Sequence, residues 1–258
     1  MNSTVNLGCA SSSPELTESA NAIQGTHQIQ RHPRHAVVIA SGGLDSTVLA
    51  YWLRARGTQL TLLSFDYGQR HRVELDFAAK TATALGVRHE IVDLSALGTV
   101  LEGSALTDDG VAVPDGHYTD TTMRATVVPN RNAIMLDIGV AVAVATGADA
   151  VAFGAHAGDH PIYPDCRENF AKSFERTARL GNEGFIVDDF HVLAPFLTCS
   201  KSDIVRLGAA LGVPFEHTWS CYRGAARHCG TCGTCTERRE AFRDAQVNDP
   251  TTYVTAGG

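Results

Sequence analysis

Large apolar residues are scarce over the first 34 positions, where Ser, Thr, Asn, Gln and Glu predominate, and then arrive abruptly in Ala36-Val37-Val38-Ile39-Ala40. The polar stretch 1–34 cannot bury enough apolar surface to offset the entropy of ordering it, so it is expected to be a disordered tail. The apolar run that follows, closed by a Gly-Gly turn, predicts a strand buried on both faces in a parallel sheet. From Ser46 to Arg56 the apolar residues fall at Val48, Leu49, Trp52 and Leu53, the spacing of one helix face, and Gly57 stands where a helix stop belongs. The succession then recurs: a run Leu60–Phe65 ending at Asp66, a helical stretch Val73–Leu85 closed by Gly86, and a third run Val87–Val92. This β-α-β-α-β order predicts an α/β fold, a Rossmann-like open parallel sheet with helices on both faces.

Beyond residue 93 the pattern loosens. Residues 94–131 carry frequent Gly, Asp, Thr and Pro without a period, and a loop of that length is expected to close over a functional site. Asn132–Ala145 predicts a helix buried on most sides, Ala150–Phe153 a strand, Glu168–Leu180 an amphipathic helix and His191–Phe196 the last strand. Ser200 with Asp203 has the form of a capping box and opens a helix that Gly212 ends. The expected organisation is a tail over 1–34, an α/β domain over 35–216, and a small cysteine-bearing knuckle with a terminal helix over 217–258.

Composition narrows the class. Of 258 residues 44% are hydrophobic and 19% charged, and 21 Lys and Arg against 28 Asp and Glu leave a net charge of −7. That is the make-up of a soluble globular chain. The negative balance argues against a protein whose stable partner is nucleic acid. The longest apolar run, Ile138–Ala145, is too short to span a bilayer, and residues 1–34 hold neither the basic opening nor the apolar run of a secretory leader. The expected compartment is the reducing cytoplasm, where clustered cysteines serve metals more than bridges.

Candidate chemistry begins where the first strand meets the first helix, in Ser41-Gly42-Gly43-Leu44-Asp45-Ser46. Glycines let a backbone approach phosphate closely, the following N–H groups point into the turn, and the helix N-terminus adds about half a positive charge. Ser41, Ser46 and Thr47 add hydroxyl donors. No Lys follows the glycines as in a Walker loop, and the spacing is not that of the dinucleotide fingerprint. Asp45 beside an anion cradle is repulsive unless a cation such as Mg²⁺ stands between them.

Four of the seven cysteines, Cys221, Cys229, Cys232 and Cys235, fall within fifteen residues. Two overlapping CxxC turns aim their sulfurs at one point, and four thiolates without an open position suit a structural, tetrahedral Zn²⁺. An iron–sulfur cluster and a redox dithiol are the alternatives the spacing leaves open. Three further clusters leave the predicted carboxyl edge of the sheet, where open α/β folds bind ligands: Asp66-Tyr67-Gly68-Gln69-Arg70-His71, Pro129-Asn130-Arg131-Asn132 and Tyr163-Pro164-Asp165-Cys166-Arg167. Arg131 is suited to a phosphate or carboxylate, and Asp165 to the amine and ring N–H of a purine-like base.

On these residues the chain resembles the PP-loop ATP pyrophosphatases and, more closely, the 7-cyano-7-deazaguanine synthases of the queuosine precursor pathway, over nearly everything from Val37 to Phe242. The SGGLDS loop alone is shared with several synthetases and tRNA-modifying enzymes. Its combination with SFDYGQRH, VPNRN, YPDCR and the four-cysteine knuckle, in that order, narrows the resemblance. It implies an adenine-nucleotide α-hydrolase-like fold in which Ser41, Gly42, Gly43, Asp45, Ser46 and Thr47, flanked by Ala40 and Leu44, cradle the phosphates of ATP. It implies one zinc on Cys221, Cys229, Cys232 and Cys235. It implies 7-carboxy-7-deazaguanine and ammonia as substrates and 7-cyano-7-deazaguanine as product. The remaining candidates are Asp66 beside the nucleotide, Tyr67, Gln69, Arg131, Asn132, Asp165 and Arg167 at the deazapurine, and Asp45, His71, Arg131 and Asp165 in catalysis. A homodimer is the expected assembly.

Two other readings compete. Adenylation of tRNA, as in thiolation or lysidine formation, requires a polyanion-binding surface, which a chain at −7 without a basic run fits poorly. A zinc-dependent nucleic-acid-binding regulator leaves the glycine loop without a purpose.

Overall fold

The computed structural model describes residues 32–101, 103–117, 124–159 and 163–254. Its centre is a five-stranded sheet: β1 (His35–Ile39), β2 (Gln59–Asp66), β3 (Arg88–Asp93), β4 (Ala150–Ala152) and β5 (His191–Leu193), in the order β3-β2-β1-β4-β5 and parallel throughout. The period of two sorts β1 between two cores. Val37 faces one side with Leu63, Phe65 and Val151, whereas Ala36 and Val38 face the other with Leu60 and Leu62. β3 lies at the edge, and its charged Arg88, Glu90 and Asp93 discourage pairing with another chain.

Helices cover both faces. α1 (Leu44–Ala55) and α2 (Glu74–Leu85) follow β1 and β2, and a single turn α3 (Ser95–Gly98) follows β3. α4 (Arg131–Thr146) and α5 (Glu168–Gly181) cover the Val37 side, with Leu136, Val140, Ala143, Ala171 and Ala178 buried. α6 (Lys201–Ala210) and α7 (Gly233–Ala245) pack with α1 on the other, where Val48, Leu49, Leu53, Ile204 and Phe242 are all but inaccessible. Each such side chain contributes roughly 1.5–3 kcal/mol.

The structure differs from the sequence-based picture in four places. Residues 1–31 of the expected tail lie outside the described residues, but the segment that follows is held: Arg34 pairs with Asp149 at 3.3 Å, and the His32 ring sits edge-on to Trp52. The helix expected to be buried on most sides, α4, buries only Leu136, Gly139, Val140 and Ala143, because it lies against one sheet face and leaves Ile134, Ile138 and Val142 half-buried. β5 stops at Leu193, two residues before Pro195, which has no N–H for the ladder, although Phe196 stays in the core. The C-terminal segment is also no appendage. Ala241, Phe242 and Ala245 belong to the main core, and the fully buried Arg238 donates to Asp249, Thr218 and the Phe215 carbonyl at 2.7–3.1 Å. Among the described residues no helix is long and apolar enough to cross a membrane.

α6 begins as the sequence predicts. Ser200 Oγ accepts from the Asp203 amide at 3.2 Å, and Asp203 accepts in return from the Ser200 amide at 3.0 Å. Ser200→Ala is expected to cost about 1 kcal/mol of stability in urea unfolding, the ordinary worth of an N-cap.

Candidate active site and metal centre

Strand order reverses between β1 and β4, and the crevice of an open α/β sheet lies at that point, outside the carboxyl ends of the strands. A cavity of about 230 Å³ opens there, walled by the Ser41–Ser46 loop, the exits of β2 and β4, the start of α4 and the approach to the cysteine knuckle. The loop is braced from within. Ser41 Oγ accepts from the Gly43 amide and meets Ser46 Oγ, each at 3.2 Å, and the Thr47 amide closes the first helical turn on the Gly43 carbonyl at 3.1 Å. Trp219, just before the knuckle, donates its amide to the Gly42 carbonyl at 2.9 Å.

Two cations meet in this cavity. Arg131, at the first turn of α4, reaches Tyr67 Oη at 3.4 Å with its guanidinium 6.0 Å from the Tyr67 ring centre. Burial opposes its charge, but the phenols of Tyr67, Tyr222 and Tyr163 hold it firmly protonated. Lys201, at the first turn of α6, lies 3.3 Å from Asp45 and 2.8 Å from Glu237. Asp45 Oδ1 is buried without a hydrogen-bond partner. An orphaned carboxylate oxygen beside a phosphate-type loop has the chemistry of a hard-cation ligand, so Asp45 fits Mg²⁺.

Beside Arg131 stands a buried pair. His71 Nε2 lies 3.4 Å from Glu74, whose other oxygen accepts from Gln69 Nε2 at 3.0 Å. Burial raises Glu74 to about 8, against the hydrogen bond from Gln69 and the charge of Arg131. Burial, with Arg131, lowers His71 to about 3. Near neutral pH the shifts leave a largely protonated carboxyl beside a neutral imidazole.

Of the residues singled out from the sequence, Ala40, Ser41, Gly43, Leu44, Asp45, Ser46, Tyr67, His71, Arg131 and Asn132 line this cavity. Others do not. Gly42 serves the loop from beneath, and the Thr47 hydroxyl turns to Thr81, at 3.5 Å in the α1–α2 contact. Asp66 is occupied by Arg72 and by the Gly68 amide. Gln69 is a buried brace, accepting from the Tyr67 amide and donating to the Phe65 carbonyl, each at 2.9 Å. Asp165 and Arg167 are absent from the cavity wall, where Tyr163 and Cys166 stand instead. The reason is the 3₁₀ turn Pro164–Cys166: with three residues per turn, positions three apart share a face, and that face holds Tyr163 and Cys166. Asn132 donates to Cys166 Sγ at 3.3 Å. Glu74, Asp159, Lys201, Trp219 and Tyr222 also line the cavity and are marked by no motif.

The four cysteines converge. Their sulfurs lie within 4.8 Å of one another and could hold a metal ion, with Cys229 and Cys235 Sγ 3.9 Å apart. Tetrahedral thiolates at 2.3 Å from zinc stand about 3.8 Å apart, so the donor set fits that ion. Backbone amides of Thr231 and Cys232 point at Cys229 Sγ at 3.5 and 3.3 Å. Two residues of the 94–131 segment reach this knuckle: Asp115 bridges to Cys232 and pairs with Arg223 at 2.7 Å, and the Gly116 amide donates to Thr231 O at 2.8 Å.

A doubly covered parallel sheet with a glycine-rich loop at its switch point, and a four-thiol cluster beside it, define the class as an open parallel α/β fold with a module that could hold a metal ion. Residues 35–246 match the family described as "Queuosine biosynthesis protein QueC", and the chain belongs to that family. It is 58% identical over 217 residues, 84% of this chain and 91% of the relative, to the 7-cyano-7-deazaguanine synthase of Allorhizobium ampelinum. It is 56% identical over 220 residues, 85% of this chain and 94% of the relative, to that of Brucella ovis. Among solved structures it is similar to NMN synthetase from Francisella tularensis, at a TM-score of 0.48 and 14% identity, over 95% of this chain and 90% of that one.

The buried pair makes stability depend on pH. Folding raises Glu74 from 4.5 to about 8, so its stabilisation is complete below pH 4.5 and lost as pH rises through 8. His71 acts oppositely, from 6.5 down to about 3, and its contribution grows as pH rises from 3 to 6.5 and is constant above that. Between pH 6.5 and 8 only Glu74 changes. Glu74→Gln is therefore expected to remove on the order of 1 kcal/mol of stability loss across that window. Urea midpoints at the two ends measure it; wild type and variant falling in parallel would contradict the assignment.

Proposed function

We propose that this chain converts 7-carboxy-7-deazaguanine and ammonia to 7-cyano-7-deazaguanine with Mg-ATP, holding a structural zinc on its four cysteines. The observation that carries the reading is the placing of the Ser41–Ser46 loop, Asp45 and Arg131 around one cavity, in a chain whose relatives bear the synthase name.

A carboxylate resists attack until one oxygen becomes a leaving group, and a loop suited to pyrophosphate favours making it an adenylate. Ammonia then displaces AMP to give the amide. Taking the amide to a nitrile removes its remaining oxygen, which requires the same activation again and fits one cavity used twice. Mg²⁺, when bound, supplies charge neutralisation at the phosphates. The chain's own residues do the rest. Loop amides and the Ser41 and Ser46 hydroxyls would donate to phosphate oxygens, and Asp45 would hold the metal. Arg131, fixed among phenols, orients the substrate carboxylate against the nucleotide. His71, kept neutral and weakly basic, serves as a hydrogen-bonding contact and not as a proton acceptor, and Asp165 lies off the cavity. The nitrogen source in this reading is free ammonia, the simpler one for a sequence in which no glutaminase nucleophile is recognisable. The expected assembly is a homodimer, which light scattering of the native protein checks.

The reading is tested by incubating metal-replete protein with Mg-ATP, ammonium and 7-carboxy-7-deazaguanine and following products by mass spectrometry. The nitrile is expected; ATP consumed with the deazapurine unchanged would discard the substrate and favour tRNA. Asp45→Asn and Arg131→Met are each expected to slow turnover roughly a hundredfold or more, the scale of losing one charge-stabilising group. Elemental analysis is expected to find one zinc per chain, lost in Cys232→Ser; iron with inorganic sulfide would replace zinc by a cluster.

A further inference from the structure

Arg131 has a part in the reading above, but the cavity's other cation has none. Lys201 opens α6 one residue after the capping Ser200, and its Nζ stands 3.3 Å from Asp45 Oδ2, 2.8 Å from Glu237 Oε2 and 3.4 Å from His156 Nε2. Asp45 lies in the first turn of α1, where the Ser41–Ser46 loop passes into the helix, whereas Glu237 lies on α7 two residues beyond Cys235. The Lys201 side chain is only 15% exposed, enclosed by the two carboxylates and the imidazole. A closed structural ion pair uses both oxygens of its carboxylate. Here Asp45 Oδ1 remains unpartnered inside the cavity wall.

We propose that Lys201 is the cation this chain supplies to the outer phosphates of the nucleotide, and that Glu237 is the positioning residue that holds it there. The proposal rests on the assignment of ATP to the Ser41–Thr47 loop. That loop contains hydroxyls and amides but no Lys or Arg, so the positive side chain must come from another element. Lys201 is the ammonium that lines the same cavity. When Asp45 turns to a metal ion arriving with the nucleotide, Lys201 exchanges that partner for a phosphate oxygen and keeps Glu237. The residue after Glu237 fixes the helix from which it reaches: Arg238 is bonded to Asp249, Thr218 and the Phe215 carbonyl, which prevents α7 from rotating. Cys232 caps the same helix and Cys235 lies in its first turn. The knuckle thus reaches the phosphate site through a charged side chain as well as by packing.

Calorimetric titration of the full chain, metal-replete and without deazapurine, against Mg-ATP and against AMP tests this. Lys201→Met is expected to raise the Kd of ATP roughly ten- to a hundredfold, the range of a lost charge-assisted hydrogen bond, and to leave that of AMP within about twofold, because AMP lacks the outer phosphates. Glu237→Gln is expected to weaken ATP in the same direction by less, with zinc content and urea midpoint at wild-type values. An unchanged ATP Kd in Lys201→Met, or equal weakening of ATP and AMP, overturns the proposal; the second outcome makes the lysine a brace for the whole site. Wild-type protein that binds neither nucleotide refutes instead the assignment of ATP to the loop, on which the role of Lys201 depends.

Discussion

The site closes on a residue that has no side chain. A Cβ at Gly42 would stand 2.1 Å from the Glu74 carbonyl oxygen and 2.7 Å from the Ala78 amide, and its φ of 76° is one that other residues adopt at a cost. Its own carbonyl is held by Trp219. Three segments far apart in sequence therefore meet there: the phosphate-type loop, the first turns of α2, and the approach to the knuckle. Anything larger at Gly42 drives α2 outward, taking Glu74 and the His71 turn with it. Gly224 makes the matching contact from the knuckle side, where a Cβ would fall 2.1 Å from the Arg70 carbonyl. Between these two approaches the turn after β2 is clamped from both directions, which is why it can hold a neutral histidine and a protonated glutamate against water.

Charge inside the cavity is arranged against the trend of the whole chain. The protein carries −7, yet Arg131 and Lys201 both stand partly buried in the cavity wall, and burial keeps Glu74, beside Arg131, largely protonated. Burying an ion costs several kcal/mol even after relaxation, and a cation held only for stability is often replaced without loss by an apolar residue. Arg131 is compensated by phenols and not by a carboxylate, which leaves its charge available to an anion that enters. A cavity poised in this way suits reactants that are themselves negative, as ATP and a carboxylate are, in a chain whose surface would otherwise repel them.

Much of this architecture could be read directly from the chain because its signals are local. A wholly apolar run followed by glycines and a helical period identifies β1, the loop and α1 from a dozen residues, and two CxxC turns announce their own convergence. The structure departs where the answer depends on rotation about an element. Asp165 and Arg167 were the chemically conspicuous members of YPDCR, but the 3₁₀ turn presents Tyr163 and Cys166, and residue type carries no information about that phase. Gln69 and Asp66 looked like ligand contacts and are spent on their own turn, since a tight exit from a strand must satisfy its amides somewhere. Glu74 and Lys201 were overlooked for a different reason. Each opens a helix, where charged residues are ordinary, and only the fold brings the two into one wall. The capping serine before Lys201 was the available clue: an N-cap fixes where the next side chain starts, and this helix starts at the sheet's carboxyl edge.

The knuckle's part in the site follows from how its helix is anchored. α7 carries cysteines in its first turn, Glu237 and Arg238 in its middle and core residues Ala241, Phe242 and Ala245 at its end. Four uncompensated thiolates packed within 4.8 Å would repel one another, so folding this segment and loading a cation are linked equilibria, and the free energy of the second is available to the first. The same helix forms part of the main core and meets Lys201, so that linkage cannot remain confined to the knuckle. A ligand that binds only the assembled site stabilises the loaded knuckle by mass action, and an ion in the knuckle lowers the ordering cost of binding in the cavity. A metal ion held by the four sulfurs would thus be structural in its chemistry, but its binding energy would bear on the geometry in which Asp45, Lys201 and the glycine loop face one another.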